Sequence, residues 1–412
     1  MATADQIIAS LKGLNADSFA DEVERVRLRD ALFEAFRKTQ SPWDIAWEHI
    51  WVNPATAAAA QTLIDAGVFK RWAEAGGEPI TCARLAELTG ADVELIRRLM
   101  RALAGQCLVN ETAEDTYGRT AWAKAVAEDP PFPGMYNAFY HDLNIPLFTT
   151  LPAYLRSIGF RNPTDVNDGN FQHWHGAGTN FFNYIGTHKQ LAADFNDTME
   201  CHGKYNLTSW VDIYPTETII AAAAADETAR GRPLVVDVGG GKGHDLRKFL
   251  SRHPDVPAGS LVLQDLPDIL RSAEAELGAW AASSASSSST SSAITVQPHD
   301  FFQPQPVRGA RVYFMHAVLH DWPDDKARQI LRALAPAMEK GYSRLLIHES
   351  LVSSVRPLSR VTISDLTMMA CLSAAERSED QWRALIESVG MRVLKIWRPV
   401  QSMESIIEVE VV

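Results

Sequence analysis

The sequence predicts an α/β protein: a doubly wound, Rossmann-like sheet preceded by an α-helical, winged-helix domain. Three observations carry this expectation. From residue 232 onward, short apolar runs at 233–238, 260–265, 310–316 and 344–349 alternate with helical stretches, and runs at 392–398 and 405–411 read as a closing hairpin. The first run breaks into Gly239, Gly240, Gly241 and Gly243. Residues before 130 show helical periodicity with one short hairpin pattern.

The glycine turn is the most informative segment. Leu234 to Val238 is continuously apolar, as a parallel strand buried on both faces would be. Glycine lets the backbone turn sharply and leaves no Cβ between chain and ligand. Residues 245–250 then open a helix, which places free N–H groups at the mouth of the turn. Asp265 ends the next apolar run, 22 positions after Gly243, a spacing that suits a carboxylate accepting both ribose hydroxyls. The spacing Gly-Gly-Gly-Lys-Gly, with Asp237 just before it, differs from the G-x-G-x-x-G pattern that seats a pyrophosphate. An acid before the turn suits a cationic, phosphate-free nucleoside such as S-adenosylmethionine better than NAD.

Toward the N-terminus, Val23, Val26, Leu28, Leu32, Phe33 and Phe36 follow a helical period, and Trp43, Trp47 and Trp51 add aromatic surface. Such an arm needs a partner surface, and a homodimer is expected. An Ala-rich helix at 54–66, helical segments through 80–104 and a hairpin at 107–119 read as a winged helix-turn-helix. DNA binding is disfavoured: the second helix offers only Arg97, Arg98 and Arg101, beside Asp92 and Glu94. The expected boundaries are 1–130 for this dimerisation domain, 131–230 for a helical, aromatic, His-rich pocket region, and 231–412 for the cofactor domain. Within the last, the Ser-rich run 283–292 reads as a flexible insertion.

Composition narrows the class. At 412 residues two domains are expected, and 46% hydrophobic with 22% charged residues is ordinary for a globular chain. A net charge of −12 argues against a nucleic-acid partner. Cys82, Cys107, Cys201 and Cys371 show no C-x-x-C pairing, which reads as reduced, buried thiols in a cytoplasmic protein with no metal site. No secretory signal or membrane-length apolar run is visible.

The chemistry concentrates after the run ending at residue 316. His320 follows a strand end, the edge at which this fold binds ligands, with Asp321 and Trp322 next to it. Glu349 ends the following strand, and Glu376 precedes a later helix. An imidazole held by carboxylates is a competent base near neutrality.

With these motifs the chain resembles the class I, caffeate-type O-methyltransferases in the form common in filamentous-fungal biosynthetic clusters. The resemblance spans nearly the whole chain: the winged-helix domain, Ser209-Trp-Val-Asp-Ile-Tyr-Pro, Asp237-Val-Gly-Gly-Gly-Lys-Gly, Asp265-Leu-Pro, Asp300-Phe-Phe, His320-Asp-Trp, Glu349 and Glu376-Arg-Ser-Glu. It implies S-adenosylmethionine on Gly239 to Gly243, its ribose on Asp265, and its adenine between Asp300 and Phe301. It implies His320 as the base toward a phenol or enol, framed by Glu349 and Glu376, in a domain-swapped homodimer.

Two residues depart from the family pattern. His316 stands where Lys or Arg is usual, and His141 falls in the pocket-forming region. Together they resemble the fungal pericyclases of this fold, which act on pyridone alkaloids of the leporin type. That resemblance implies a bound but unconsumed cofactor, and His141 and His316 flanking a substrate that loses water before a hetero-Diels–Alder or Alder-ene closure. Asp212, Phe139, Trp174, Phe181 and Met391 are then expected to line the pocket. The sequence reading favours this pericyclase, with methylation of a phenol or enol of an aromatic polyketide as the alternative.

Overall fold

The computed structural model describes residues 3–15, 18–205, 208–227, 231–283, 293–399 and 403–412. Most of the Ser-rich run expected to be a flexible insertion lies outside them. The chain divides into two compact units, Met1–Pro133 and Gly134–Val412, so the helical stretch beyond 133 belongs to the same unit as the sheet.

The first unit has the expected winged-helix elements. Helices Cys82–Thr89 and Val93–Gly105 are N-capped by the Thr81 and Asp92 side chains, which accept from Arg84 N at 3.2 Å and Leu95 N at 2.9 Å. The strands Val109–Ala113, Thr116–Arg119 and Ile80–Thr81 complete a small antiparallel sheet. Arg97 of the second helix is spent on Asp115 at 2.5 Å and on Glu94, which removes a DNA-reading cation. Trp43, Trp47 and Trp51 pack on one another yet remain 65%, 46% and 49% exposed, an aromatic face of the kind the dimer expectation requires.

The second unit is built on one large sheet. Its main strands are β1 (Val235–Val238), β2 (Leu261–Asp265), β3 (Ile294–Pro298), β4 (Val312–His316), β5 (Arg344–Val352), β6 (Met391–Trp397) and β7 (Glu404–Val411). They lie in the order β6-β7-β5-β4-β1-β2-β3, with the short strand Arg377–Ser378 beside β5. Strands β1 to β5 pair in parallel, while β7 runs antiparallel to β5 and β6. The closing hairpin is therefore as expected. Strand β3 was not expected: its half-exposed residues follow directly on the Ser-rich run, and no buried apolar run announces it.

Alternation along the strands builds a core on each face of the sheet. Val236, Val238, Tyr313, Met315, Leu345 and Ile347 share one cluster with Trp382. Val235, Leu261, Leu263, Val312, Phe314 and Leu346 share the other with Trp210 and Phe249, whose rings stack at 5.5 Å. Phe249 lies on helix α2 (His244–Arg252), and helix α1 (Lys189–Tyr205) precedes it in the chain. Further on lie helices α3 (Pro267–Ser283), α4 (Asp324–Leu334), α5 (Ser359–Leu372) and α6 (Glu379–Glu387).

Because Phe249 is fully buried against Trp210, Phe249→Ala should cost about 3–5 kcal/mol of unfolding free energy, read by denaturant titration.

Candidate active site

The glycine turn leaves β1 as a cradle. Gly239, Gly241 and Gly243 adopt φ of +75°, +55° and +75°, and a Cβ on Gly240 would lie 2.4 Å from the Asp237 carboxyl carbon. Gly239 and Gly240 donate to the Gln264 carbonyl at 2.8 and 3.0 Å, while Gly241 donates to Asp265 Oδ2 at 2.9 Å. Asp265 Oδ1 accepts from Leu266 N at 2.7 Å. Burial pushes the Asp265 carboxyl up, and these two N–H groups partly offset that. Asp300 accepts from Phe302 N at 3.0 Å, and Phe301 lies 3.6 Å from where a Gly239 Cβ would stand. Asp237, Asp265 and Phe301 thus lie next to the glycine turn.

Asp237 is 1% exposed and its Oδ2 has no partner. Burial, with Asp245 nearby, pushes its pKa well above the usual carboxylate range. Gly239 and Gly240 pack so closely on Val318, Asp237 and Leu263 that a Cβ would crowd them, whereas Gly241 faces open space. Beside the turn, Asp237 is a buried acid with one oxygen unspent, which fits a cationic nucleoside ligand with no phosphate.

At the end of β4 the chain turns through Ala317, a non-glycine residue at φ +50°, into the short 3₁₀ turn Leu319–Asp321. Glu349, fully buried on β5, accepts three successive N–H groups on Oε1: Val318 at 3.0 Å, Leu319 at 2.8 Å and His320 at 3.3 Å. Arg377, 3% exposed, donates to the carbonyls of Leu319 (2.9 Å) and Trp322 (2.7 Å) and to Asp324 (2.9 Å). His320 Nδ1 meets Glu376 Oε1 at 2.9 Å, and Ser364 also donates to that oxygen at 2.7 Å. Nε2 is 3.5 Å from Asp321, too far for a strong hydrogen bond.

Burial alone would lower the His320 pKa. The carboxylates of Glu349, Glu376 and Asp321 outweigh it and hold the imidazole well above 6.5. Burial also pushes Glu349 up to about 7 and Asp321 to about 6.

His316 occupies a different environment. Its Nδ1 meets Asp245 Oδ2 at 2.6 Å and its Nε2 meets Glu404 Oε2 at 2.9 Å. Both nitrogens are therefore committed, which leaves none for the substrate-flanking role suggested by the sequence. His141 lies in the π-helical turn Phe139–Asn144, with its Nε2 buried and unpartnered. Among the described residues no hydrogen bond or ring contact joins His141 to His316.

Phe139, Phe171 and Phe181 form a separate buried cluster with Trp174 and Phe182 packed on it, and Phe182 reaches Trp322 at 6.0 Å between ring centroids. This aromatic wall therefore adjoins the His320 turn. Two expected pocket residues lie elsewhere. Asp212 pairs with Arg252 and lines a surface depression of about 530 Å³ on the outer side of α2, because Trp210 and Val211 take the inward positions of its short helix. Met391 starts β6 in the sheet core with Trp382 and Ile386, since its position faces that core. Asp245, Glu404 and Arg377 were not singled out from sequence. The signals were an acid directly after the glycine turn, an acid opening an apolar run, and an arginine inside Glu376-Arg-Ser-Glu.

The fold and site define an α/β enzyme with a nucleoside cradle beside a carboxylate-held histidine. Residues 161–392 match the O-methyltransferase domain and residues 54–129 the O-methyltransferase dimerisation domain. The chain is 33% identical to the O-methyltransferase mfmE of Annulohypoxylon moriforme, over 98% of this chain and 95% of that protein. It is 37% identical to the O-methyltransferase asqD of Emericella nidulans, over 86% and 87%. The structure of LepI with SAM is similar at a TM-score of 0.86 and 25% identity, covering 99% of both chains, and a pericyclic reaction enzyme matches at the same score and identity, covering 98% of this chain and 99% of that chain. The chain belongs to the O-methyltransferase family, is an enzyme of that fold, and uses S-adenosylmethionine. No helix among the described residues is long and apolar enough to cross a membrane.

Asp237→Asn should weaken S-adenosylmethionine binding about tenfold or more, because the bound cation draws Asp237 into its ionised form and asparagine cannot follow, while leaving the melting temperature unchanged or higher because an unpaired buried acid is removed. Isothermal calorimetry and a thermal melt check the two halves.

Proposed function

We propose that the enzyme methylates a phenol or enol hydroxyl of a planar, apolar aromatic substrate, with His320 as the general base. One observation carries this reading. The His320 ring is fixed through Nδ1 on Glu376, its turn is fixed on Glu349 and Arg377, and Nε2 has no close partner. When bound, S-adenosylmethionine supplies an electrophilic methyl group. The protein's own part is to seat the acceptor against the aromatic wall and to take its proton on Nε2. The surrounding carboxylates stabilise the imidazolium that results. Relatives named as O-methyltransferases at 33–37% identity support the same reading.

A second reading is dehydration of a 2-pyridone alcohol to a quinone methide, followed by pericyclic closure with the cofactor unconsumed. Two observations favour it: the likeness to LepI, and the unpartnered Nε2 of His141 beside the aromatic wall. In that reaction His141, not His316, is the side chain with a free nitrogen.

Mass spectrometry separates the readings. Methylation gives a product 14 mass units heavier and S-adenosylhomocysteine in step. A product 18 units lighter with the cofactor intact would overturn methylation.

The base hypothesis also fixes a pH profile. Only the neutral imidazole accepts a proton, so kcat/KM for methylation should rise with pH through an apparent pKa above 6.5, the direction in which His320 is shifted. Glu376→Gln removes one anion and should move that limb to lower pH. His320→Ala should lower kcat by about 10²-fold or more with cofactor affinity retained. A His320→Ala variant with full turnover would refute the role.

A further inference from the structure

Asp245 opens α2 two residues beyond the last glycine of the cradle, and both its oxygens are engaged. Oδ2 takes His316 Nδ1 at 2.6 Å, and Oδ1 takes Lys248 Nζ at 3.1 Å. His316, the last residue of β4, uses its other nitrogen on Glu404, the first residue of β7. A neutral imidazole has one N–H, so serving two carboxylates takes both ring protons and makes this side chain a cation. His348, its register partner on β5, lies against the ring at 4.2 Å between centroids, and His202 of α1 stands 4.0 Å from the other Glu404 oxygen.

This bridge ties three elements together at the edge of the sheet that carries the cradle. The glycine turn itself is held upstream by Gln264 and Asp265. Downstream, the Asp245 side chain is the tether that reaches across to β4. The bridge also separates the roles of two neighbouring acids. Asp237 keeps an unpartnered oxygen, whereas Asp245 is already neutralised.

We propose that His316 is a positioning residue for the cofactor cradle: clamped between Asp245 and Glu404, it fixes the first turn of α2 and leaves Asp237 as the acid that receives the cofactor's positive charge. The proposal rests on S-adenosylmethionine binding and is independent of which reaction follows. Without His316, Asp245 would keep Lys248 and Glu404 would keep the more distant His348 and His202, but the link that joins the first turn of α2 to β7 through β4 would be gone. A lysine at 316 restores the charge but can reach only as a point donor, so it should recover part of the geometry.

The test is calorimetric titration of the full-length chain with S-adenosylmethionine, with a thermal melt of each variant. His316→Gln should weaken binding about tenfold or more, and His316→Lys should return it to within about threefold of wild type. Charge-dependent rescue is the result that a merely structural side chain would not give. Asp245→Asn, which keeps shape and loses charge, should weaken binding to a similar degree and provides the test if His316→Gln fails to fold. Wild-type affinity in either His316→Gln or Asp245→Asn would overturn the proposal. So would a lysine variant no better than the glutamine one. Loss of wild-type binding on treatment with a chelator would also overturn it, and would assign His316, His348 and Glu404 to a metal ion instead.

Discussion

The site depends on one buried carboxylate. Glu349 gathers the N–H groups of Val318, Leu319 and His320 on a single oxygen, and Arg377 takes the carbonyls of Leu319 and Trp322 from the other side. A carboxylate and a guanidinium are both costly to bury. Backbone N–H groups saturate Glu349 Oε1 while its Oε2 has no hydrogen-bond partner among the described residues, and backbone carbonyls take two of the Arg377 nitrogens. Removing either would leave the opposite groups unsatisfied, so the turn has one shape available. The left-handed Ala317 is held in that shape by its surroundings, its N–H bonded to the His348 carbonyl at 3.2 Å. His320 inherits its position from this backbone and its ring orientation from Glu376.

Two histidines four residues apart are thereby given opposite work. Both are drawn toward the protonated form by carboxylates, yet His320 has one nitrogen bound and His316 has two. The difference is geometric. Glu404 is held well down, to about 2, because His316 and His348 face it, the attraction outweighing its burial. His348 is pushed down to about 4 by burial and by the His316 charge. The charge beside β7 is thus settled within the protein, while around His320 burial raises Asp321 and Glu349 and one ring nitrogen lacks a close partner.

Much of this was legible in the sequence, because it depended on local pattern. The glycine turn, the strand alternation and the helix that follows are consequences of backbone sterics and burial within a dozen residues. His320 and Glu349 could be placed because strand ends in a doubly wound sheet share one edge, whereas Glu376, ahead of a helix, was placed by the family resemblance. What the sequence did not disclose was pairing at long range. Asp245 and Glu404 reach His316 from 71 and 88 residues away, and no spacing rule links them. Asp212 and Met391 sit near motifs in the chain but face elsewhere, since the phase of a four-residue helix and the first residue of a strand turn on tertiary packing. Strand β3 carried too little apolar signal to be separated from the serine-rich run before it.

The aromatic wall belongs to a hydrophobic cluster of its own, separate from the two that flank the sheet. Phe139, Phe181 and Trp174 therefore pack in a cluster distinct from the sheet cores, which meets the residues after the His320 turn where Phe182 reaches Trp322. A side chain in this third cluster can change size while the sheet cores keep their own contacts, so the cost of such a change is confined to the helices that form the wall.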